Sequence, residues 1–192
     1  MTSATRMPAR TVLARALQWP ADVQRAYSAG QERPLKGYLQ LLSIYATGTF
    51  GAAAVAKLRH IPAPTRVGVG DLMLVGISTH KLSRMIAKDP VLSPLRAPFT
   101  RFKGQSGEAE LAEEVRGHGL QHAAGELITC PFCLAQWVGT AFVFGYVAAP
   151  RATRLAALTM TTVAGADVLQ FVYDSIQNGA LDGADEGGGG GD

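Results

Sequence analysis

Cysteine is almost missing from this chain: among 192 residues there are two, Cys130 and Cys133. Two cysteines cannot build a disulfide framework, which excludes a small secreted scaffold. Charge is also scarce. Asp, Glu, Lys and Arg make up 17% of the residues, where soluble domains carry about a quarter. No dense basic tract interleaved with aromatics is present, so the net charge of +3 points to no nucleic acid. A signal peptide is not expected, because Arg15 interrupts Val12–Leu17 and Trp19-Pro20 follows. There is no phosphate loop, no nucleophile elbow and no internal repeat.

What is there is apolar sequence in blocks. Hydrophobic residues are 47% of the chain, and the charges gather in 1–36, 57–66, 81–116 and 150–154. Membrane proteins segregate charge this way, because a charge at the bilayer centre costs at least a few kcal/mol. The length suits one domain. Residues 1–34 read as a basic, partly disordered arm, with a short interfacial helix over Thr11–Trp19 as the alternative. Residues 35–178 read as the membrane domain, with spans at about 37–56, 64–82, 127–149 and 155–174 and a polar loop at 83–126. Residues 179–192, rich in Gly and Asp, read as a disordered tail.

The expected fold is therefore all-α, a helical integral membrane bundle of about four transmembrane segments. Gly37–Ala56 is twenty uncharged residues, and a helix of that length covers roughly 30 Å, the hydrocarbon thickness. Small residues at Gly48 and Ala52, and at Thr47 and Gly51, admit close approach of another helix. The segment at 64–82 is weaker, because Asp71 lies inside it; it spans, re-enters or lies buried. In the polar loop, Pro90, Pro94 and Pro98 forbid a regular helix, Phe99 and Phe102 alternate with Arg101 and Lys103, and Glu108–Val115 reads as a helix. Segments 1–36 and 81–126 hold six and seven lysines and arginines, against three and two in 57–66 and 150–154. With four crossings, the positive-inside rule places both termini and the polar loop in the cytoplasm.

The chemistry worth testing lies in Gly125–Trp137, around Cys130-Pro-Phe-Cys133. Three readings stand side by side. A C-x-x-C at a helix start favours thiolate through free N–H groups and the helix dipole, which suits a dithiol redox pair with Glu126 alongside. The same pair supplies half of a zinc site, completed by His118 and His122, by His80, or by a second chain. Or the cysteines are small packing residues. His118 and His122 are four residues apart, which would place them on one helix face. Glu114, His118, His122, Glu126 and Cys130 continue that step, but the drift of a 3.6-residue helix leaves only neighbours facing together.

Carboxylates within or beside the apolar spans are the second group. Asp71, Asp167 and Asp174 are intramembrane polar candidates, with His80, Lys81 and Arg84 as available cations. Interhelical ion pairing is the plain reading, and an ion or proton path for a small transporter is the sharper one.

The chain resembles the bacterial integral-membrane family catalogued as domain of unknown function 1360, which has a sporulation-associated member in Bacillus. The resemblance rests on Asp71, Lys81-Leu-Ser-Arg84, Asp89, Leu95–Phe99, the Glu-rich stretch 108–114, Gly125–Cys133 and Trp137, and covers roughly residues 35–176. It implies a small multi-spanning membrane protein. It implies no reaction, so it brings no catalytic residues and leaves open whether the protein is an enzyme. The expected function is a bacterial multi-spanning membrane protein organised around a C-x-x-C site that binds metal or is structural. A membrane thiol-disulfide oxidoreductase using Cys130 and Cys133, and a small transporter, are the alternatives. Expected partners are the lipid bilayer and, as an open alternative, a second copy of the chain.

Overall fold

Prolines punctuate the helices. The computed structural model describes residues 22–24, 26–27, 33–62, 64, 66–107 and 109–187, with side chains through Asn178. Most of the basic arm, Thr11–Trp19 included, and residues 188–192 lie outside the described residues. Helix α1, Leu35–Leu58, starts directly after Pro34 and stops where His60 turns to φ 52. Helix α2, Val69–Lys88, ends at Asp89, which is extended (ψ 132) because Pro90 follows. A 3-10 turn, Pro90–Leu92, and the one-turn helix α3, Ser93–Arg96, lead into strand β1, Thr100–Gly107, and strand β2, Glu110–Val115. Then come α4, Gly119–Thr129, α5, Pro131–Ala148, and α6, Pro150–Gly187. Proline opens both α5 and α6, the position where its missing N–H costs nothing.

Four expectations are corrected here. The chain is mostly helical but not all-α: β1 and β2 form an antiparallel hairpin, with Arg101 opposite Glu114 and Phe102 opposite Glu113. Glu108–Val115 is thus strand from Glu110 on, not helix. Glu, Leu and Ala are good helix formers, but tertiary context routinely overrides propensity; here pairing with β1 and partners for Glu110, Glu113 and Glu114 do so. The uncharged run from Leu127 to Ala149 is two helices, because Pro131 forces Cys130 out of helical geometry to φ −102, ψ 106. Helix α6 also runs to Gly187, beyond the start expected for the tail at 179. Backbone hydrogen bonding propagates from an established helix one residue at a time.

Side-chain pairs give the helix directions. Tyr146 and Arg154 both reach Asp71, and Lys81 reaches Asp167. Helix α2 therefore runs antiparallel to α5 and alongside α6 in the same direction. Tyr45 meets Trp137 and Thr140 while Tyr38 meets Glu126, so α1 runs with α5. The hairpin and α4 gather at the end where α2 finishes and α5 begins.

Burial is inverted relative to a soluble domain. The most buried residues are small or polar: Ser78, Ser83, Arg96, Ala87, Ala123 and Ala157. Large apolar side chains such as Leu42, Phe50, Leu72, Val143 and Phe171 face outward. A modest apolar core forms where Leu134, Val138 and Phe142 of α5 meet Ala157, with Leu74, Val75, Leu82 and Ile86 of α2 against it. Leu35–Leu58, Pro131–Ala148 and Pro150–Asn178 are three helices long and apolar enough to cross a membrane. Helix α2 is not among them; its 20 residues match in length, but Asp71, Lys81, Arg84 and Lys88 lower its hydropathy. The small-residue face of α1 at Gly48 and Gly51 is open, with nothing within contact distance.

Candidate functional site

Cys130 is the N-cap of α5. Its Sγ accepts the N–H of Cys133 at 3.3 Å, the role a Ser or Asp oxygen usually fills. Both cysteines are free thiols; Cys130 is half-buried and Cys133 exposed. Phe132, between them, is 90% exposed, so the turn projects from the bundle and is not packed into it. Burial pushes the Cys130 thiol up. Hydrogen bonds from the Cys133 thiol and from the Cys133 and Phe132 backbone, with the Lys88 charge, outweigh it and leave the thiol below its ordinary value.

Glu126 stands one helical turn before Cys130, on α4. It accepts the Tyr38 hydroxyl from α1, and Arg33 lies 3.4 Å and His122 3.6 Å from its carboxylate. This hub ties α1 to α4. Gly37 permits the approach: a Cβ there would come 2.4 Å from the Gly119 carbonyl oxygen. The histidine pair expected on one helix face is separated. His118 is the extended N-cap of α4 (φ −132, ψ 161), between Gly117 and Gly119, both at positive φ, so His122 alone is helical. His122 turns to Glu126 and to the Gly117 carbonyl. Among the described residues, no three His, Cys, Asp or Glu side chains come together as a metal site.

The carboxylates of the spans are engaged. Asp71, in the first turn of α2, accepts the Tyr146 hydroxyl at 2.6 Å and both Nε and Nη2 of Arg154, at 2.9 and 2.6 Å. Lys81 pairs with Asp167 at 2.5 Å and Arg84 with Glu110 at 2.6 Å. Asp174 accepts the Gln170 amide of its own helix at 3.1 Å. Between these, Ser78 donates to the Ala157 carbonyl at 2.6 Å, holding α2 against α6.

One pair went unseen in the sequence. Arg96, 0% exposed, forks onto Glu113, 6% exposed, through Nε at 2.6 Å and Nη2 at 3.3 Å, while Nη1 donates to the Ile86 carbonyl at 2.8 Å. The guanidinium thereby fastens the hairpin to α2. A fully buried ion pair needs this full set of hydrogen bonds to be tolerable. Arg154 and Tyr146 were likewise unseen, being 83 and 75 residues from their partner.

Comparison with known proteins places this arrangement. The family model described as "Protein of unknown function (DUF1360)" matches residues 74–173. The chain belongs to this family. The match takes in α2 from Leu74, the hairpin, the thiol turn and most of α6, and leaves α1 outside. The chain is also 22% identical over 102 residues to the sporulation protein YjcA of Bacillus subtilis (strain 168), covering 52% of this chain and 86% of that protein. No solved structure matches. In this DUF1360 chain the matched region thus contains the Lys81–Asp167 pair and both cysteines, whereas Asp71, the partner of Arg154, and Tyr38 and Tyr45, the α1 contacts, lie outside it.

Proposed function

We propose that this is a four-crossing membrane protein whose working group is the Cys130–Cys133 dithiol, held at the cytoplasmic end of the bundle as a thiol–disulfide couple. The observation that carries the reading is the half-buried Cys130 sulfur at a helix N-terminus, capped by the Cys133 N–H and lying near Lys88. A thiol used only for packing would be enclosed, and this turn projects outward.

The fourth crossing is α2. It lies alongside α5 and α6, Asp71, Lys81 and Arg84 are paired within the bundle, and its 20 residues are long enough to cross. Buried pairing is what makes intramembrane charge tolerable. Both termini then share the side of the hairpin, the side richest in lysine and arginine.

The chemistry balances as a two-electron exchange. The Cys130 thiolate attacks a partner's disulfide, forming a mixed disulfide and releasing one partner thiolate. Cys133, deprotonated, then attacks the Cys130 sulfur, releasing the second partner thiolate and leaving the Cys130–Cys133 disulfide. The partner gains two electrons and two protons, and the dithiol loses them.

The test is the rate of alkylation of Cys130 in the Cys133→Ser variant, followed against pH. The reading expects a titration midpoint below the ordinary thiol value of about 8.5, and a disulfide in the native protein after treatment with an oxidised dithiol. A midpoint above that value, with no disulfide formed, would overturn it. Zinc shared by paired thiols of two chains is the second reading. It is favoured by two accessible sulfurs on one turn with no third ligand beside them among the described residues. One zinc per two chains, lost in Cys130→Ser, would establish it in place of redox exchange. The transporter reading draws less support, because Asp71 and Asp167 already hold Arg154 and Lys81.

A further inference from the structure

Helices α2 and α6 touch through Ser78 and Ala157 and, further along, through Lys81 and Asp167. Toward the hairpin they enclose a groove of about 1000 Å³, the upper end of the size that takes a small-molecule ligand. Its walls carry opposite charge. His80, Lys81, Arg84 and Lys88 line it from α2, Asp167 and Asp174 from α6, Asp89 from the end of α2 and Glu110 from the hairpin. Two of the cations are already held: Lys81 by Asp167 at 2.5 Å, closing the narrow end, and Arg84 by Glu110 at 2.6 Å. Lys88 and Asp174 stand at the mouth, beside Asp89, whose carboxylate accepts the Val91 N–H at 2.8 Å. Lys88 and Asp174 are each seven residues beyond the Lys81–Asp167 pair on helices running the same way, so both advance about 10 Å along the axis. Among the described residues they form no ion pair with each other, and Asp174 takes only an amide hydrogen bond from Gln170.

We propose that this groove holds a zwitterionic phospholipid with a primary ammonium, of the phosphatidylethanolamine class. The phosphate lies against Lys88 and the ammonium against Asp174, with the acyl chains along Ile77, Val168 and Phe171. The charge pattern selects this class. A headgroup with anionic charge alone would meet Asp174 and Asp167, and a purely cationic one would meet Lys88 and Arg84. A quaternary ammonium has no N–H to give Asp174 and is best held by a cage of aromatic rings, whereas the groove offers Phe171 alone. A primary ammonium can donate to the carboxylate while the phosphate accepts from Lys88. The apolar wall, continuous with the outward face of α6, fits a lipid better than a soluble zwitterion.

The inference rests on the chain's lying in lipid, and needs neither the thiol chemistry nor the orientation proposed above. Its test is lipid retention by the full chain in mild detergent, read by native mass spectrometry. Phosphatidylethanolamine, phosphatidylcholine and phosphatidylglycerol of identical acyl chains are added in equal amounts, with soluble phosphoethanolamine in a parallel arm. Phosphatidylethanolamine should be retained about tenfold over the other two, the worth of one charge-assisted hydrogen bond. Asp174→Lys should abolish that preference and favour phosphatidylglycerol. The double exchange Lys88→Asp with Asp174→Lys should restore it, which a variant that failed to fold could not do. Equal retention of all three lipids by the native chain, or an unchanged preference in Asp174→Lys, would overturn the proposal. Equal binding of phosphoethanolamine would overturn the assignment to a lipid. None of these failures touches the dithiol reading, whose test is thiol reactivity.

Discussion

The two ends of α2 are built differently. At its first turn Asp71 is fixed by a phenol and a guanidinium, and α5 and α6 are drawn together around it. At its last turns the cations fan out to Asp167, Glu110 and the Cys130 neighbourhood. One end is closed by side chains that satisfy each other. The other carries the hairpin, and leaves Lys88, Asp174 and two thiols at least partly exposed. The same helix thus anchors the bundle at one end and presents its chemistry at the other.

The largest expected effect lies at the prop of the open end. Arg96→Met leaves the Glu113 carboxylate buried without its partner, which should cost about 3–5 kcal/mol. Thermal unfolding in detergent would show it, and the double variant Arg96→Met with Glu113→Leu should recover much of the loss. A tolerated single variant would mean that the hairpin does not hold the open end. Next is Gly37→Ala, whose Cβ meets backbone at α4; overpacking of this kind costs about 1–3 kcal/mol, measured the same way. At the closed end, Asp71→Asn should lower the melting temperature by less than Arg96→Met does and leave Cys130 alkylation unchanged. If Asp71→Asn altered thiol reactivity, the two ends would not be separate devices.

The smallest effect is the most specific. Lys88→Ala should slow alkylation of Cys130 at neutral pH by a few fold, because one of the charges favouring thiolate is gone. The sign follows from the shift. The Cys130 pKa is lowered in the fold, so the thiolate is stabilised relative to the unfolded chain. That contribution is present above the unfolded pKa and is lost as pH falls through the folded one. Removing Lys88 should therefore move the alkylation midpoint upward, and a midpoint that stayed put would detach Lys88 from the site.

Much of the helical frame was legible in the sequence. Uncharged runs marked α1, α5 and α6, and Lys81 stood among the cations expected to meet the span carboxylates. The break at Cys130 was legible too in the following Pro131, but the apolar run across it looked continuous. What was not legible depends on contacts between distant residues. Nothing local in Glu110–Val115 favours strand over helix; the pairing with Thr100–Gly107 decides it. Nothing near Arg96 shows that it is the most deeply buried charge, because Glu113 and the Ile86 carbonyl come from separate elements. His118 and His122 kept their spacing but lost their shared face to the turn made by Gly117 and Gly119.

The central claim is that the thiol end and the far turn between α1 and α2 lie on opposite sides of a membrane. An impermeant maleimide applied to sealed vesicles of both orientations tests it directly. The native thiols and a single His60→Cys in a cysteine-free background are labelled in parallel. The account predicts that Cys130 and Cys133 label in inverted vesicles and His60→Cys in right-side-out ones. Labelling of both from the same side would contradict it, because α2, which joins the two, would then not cross.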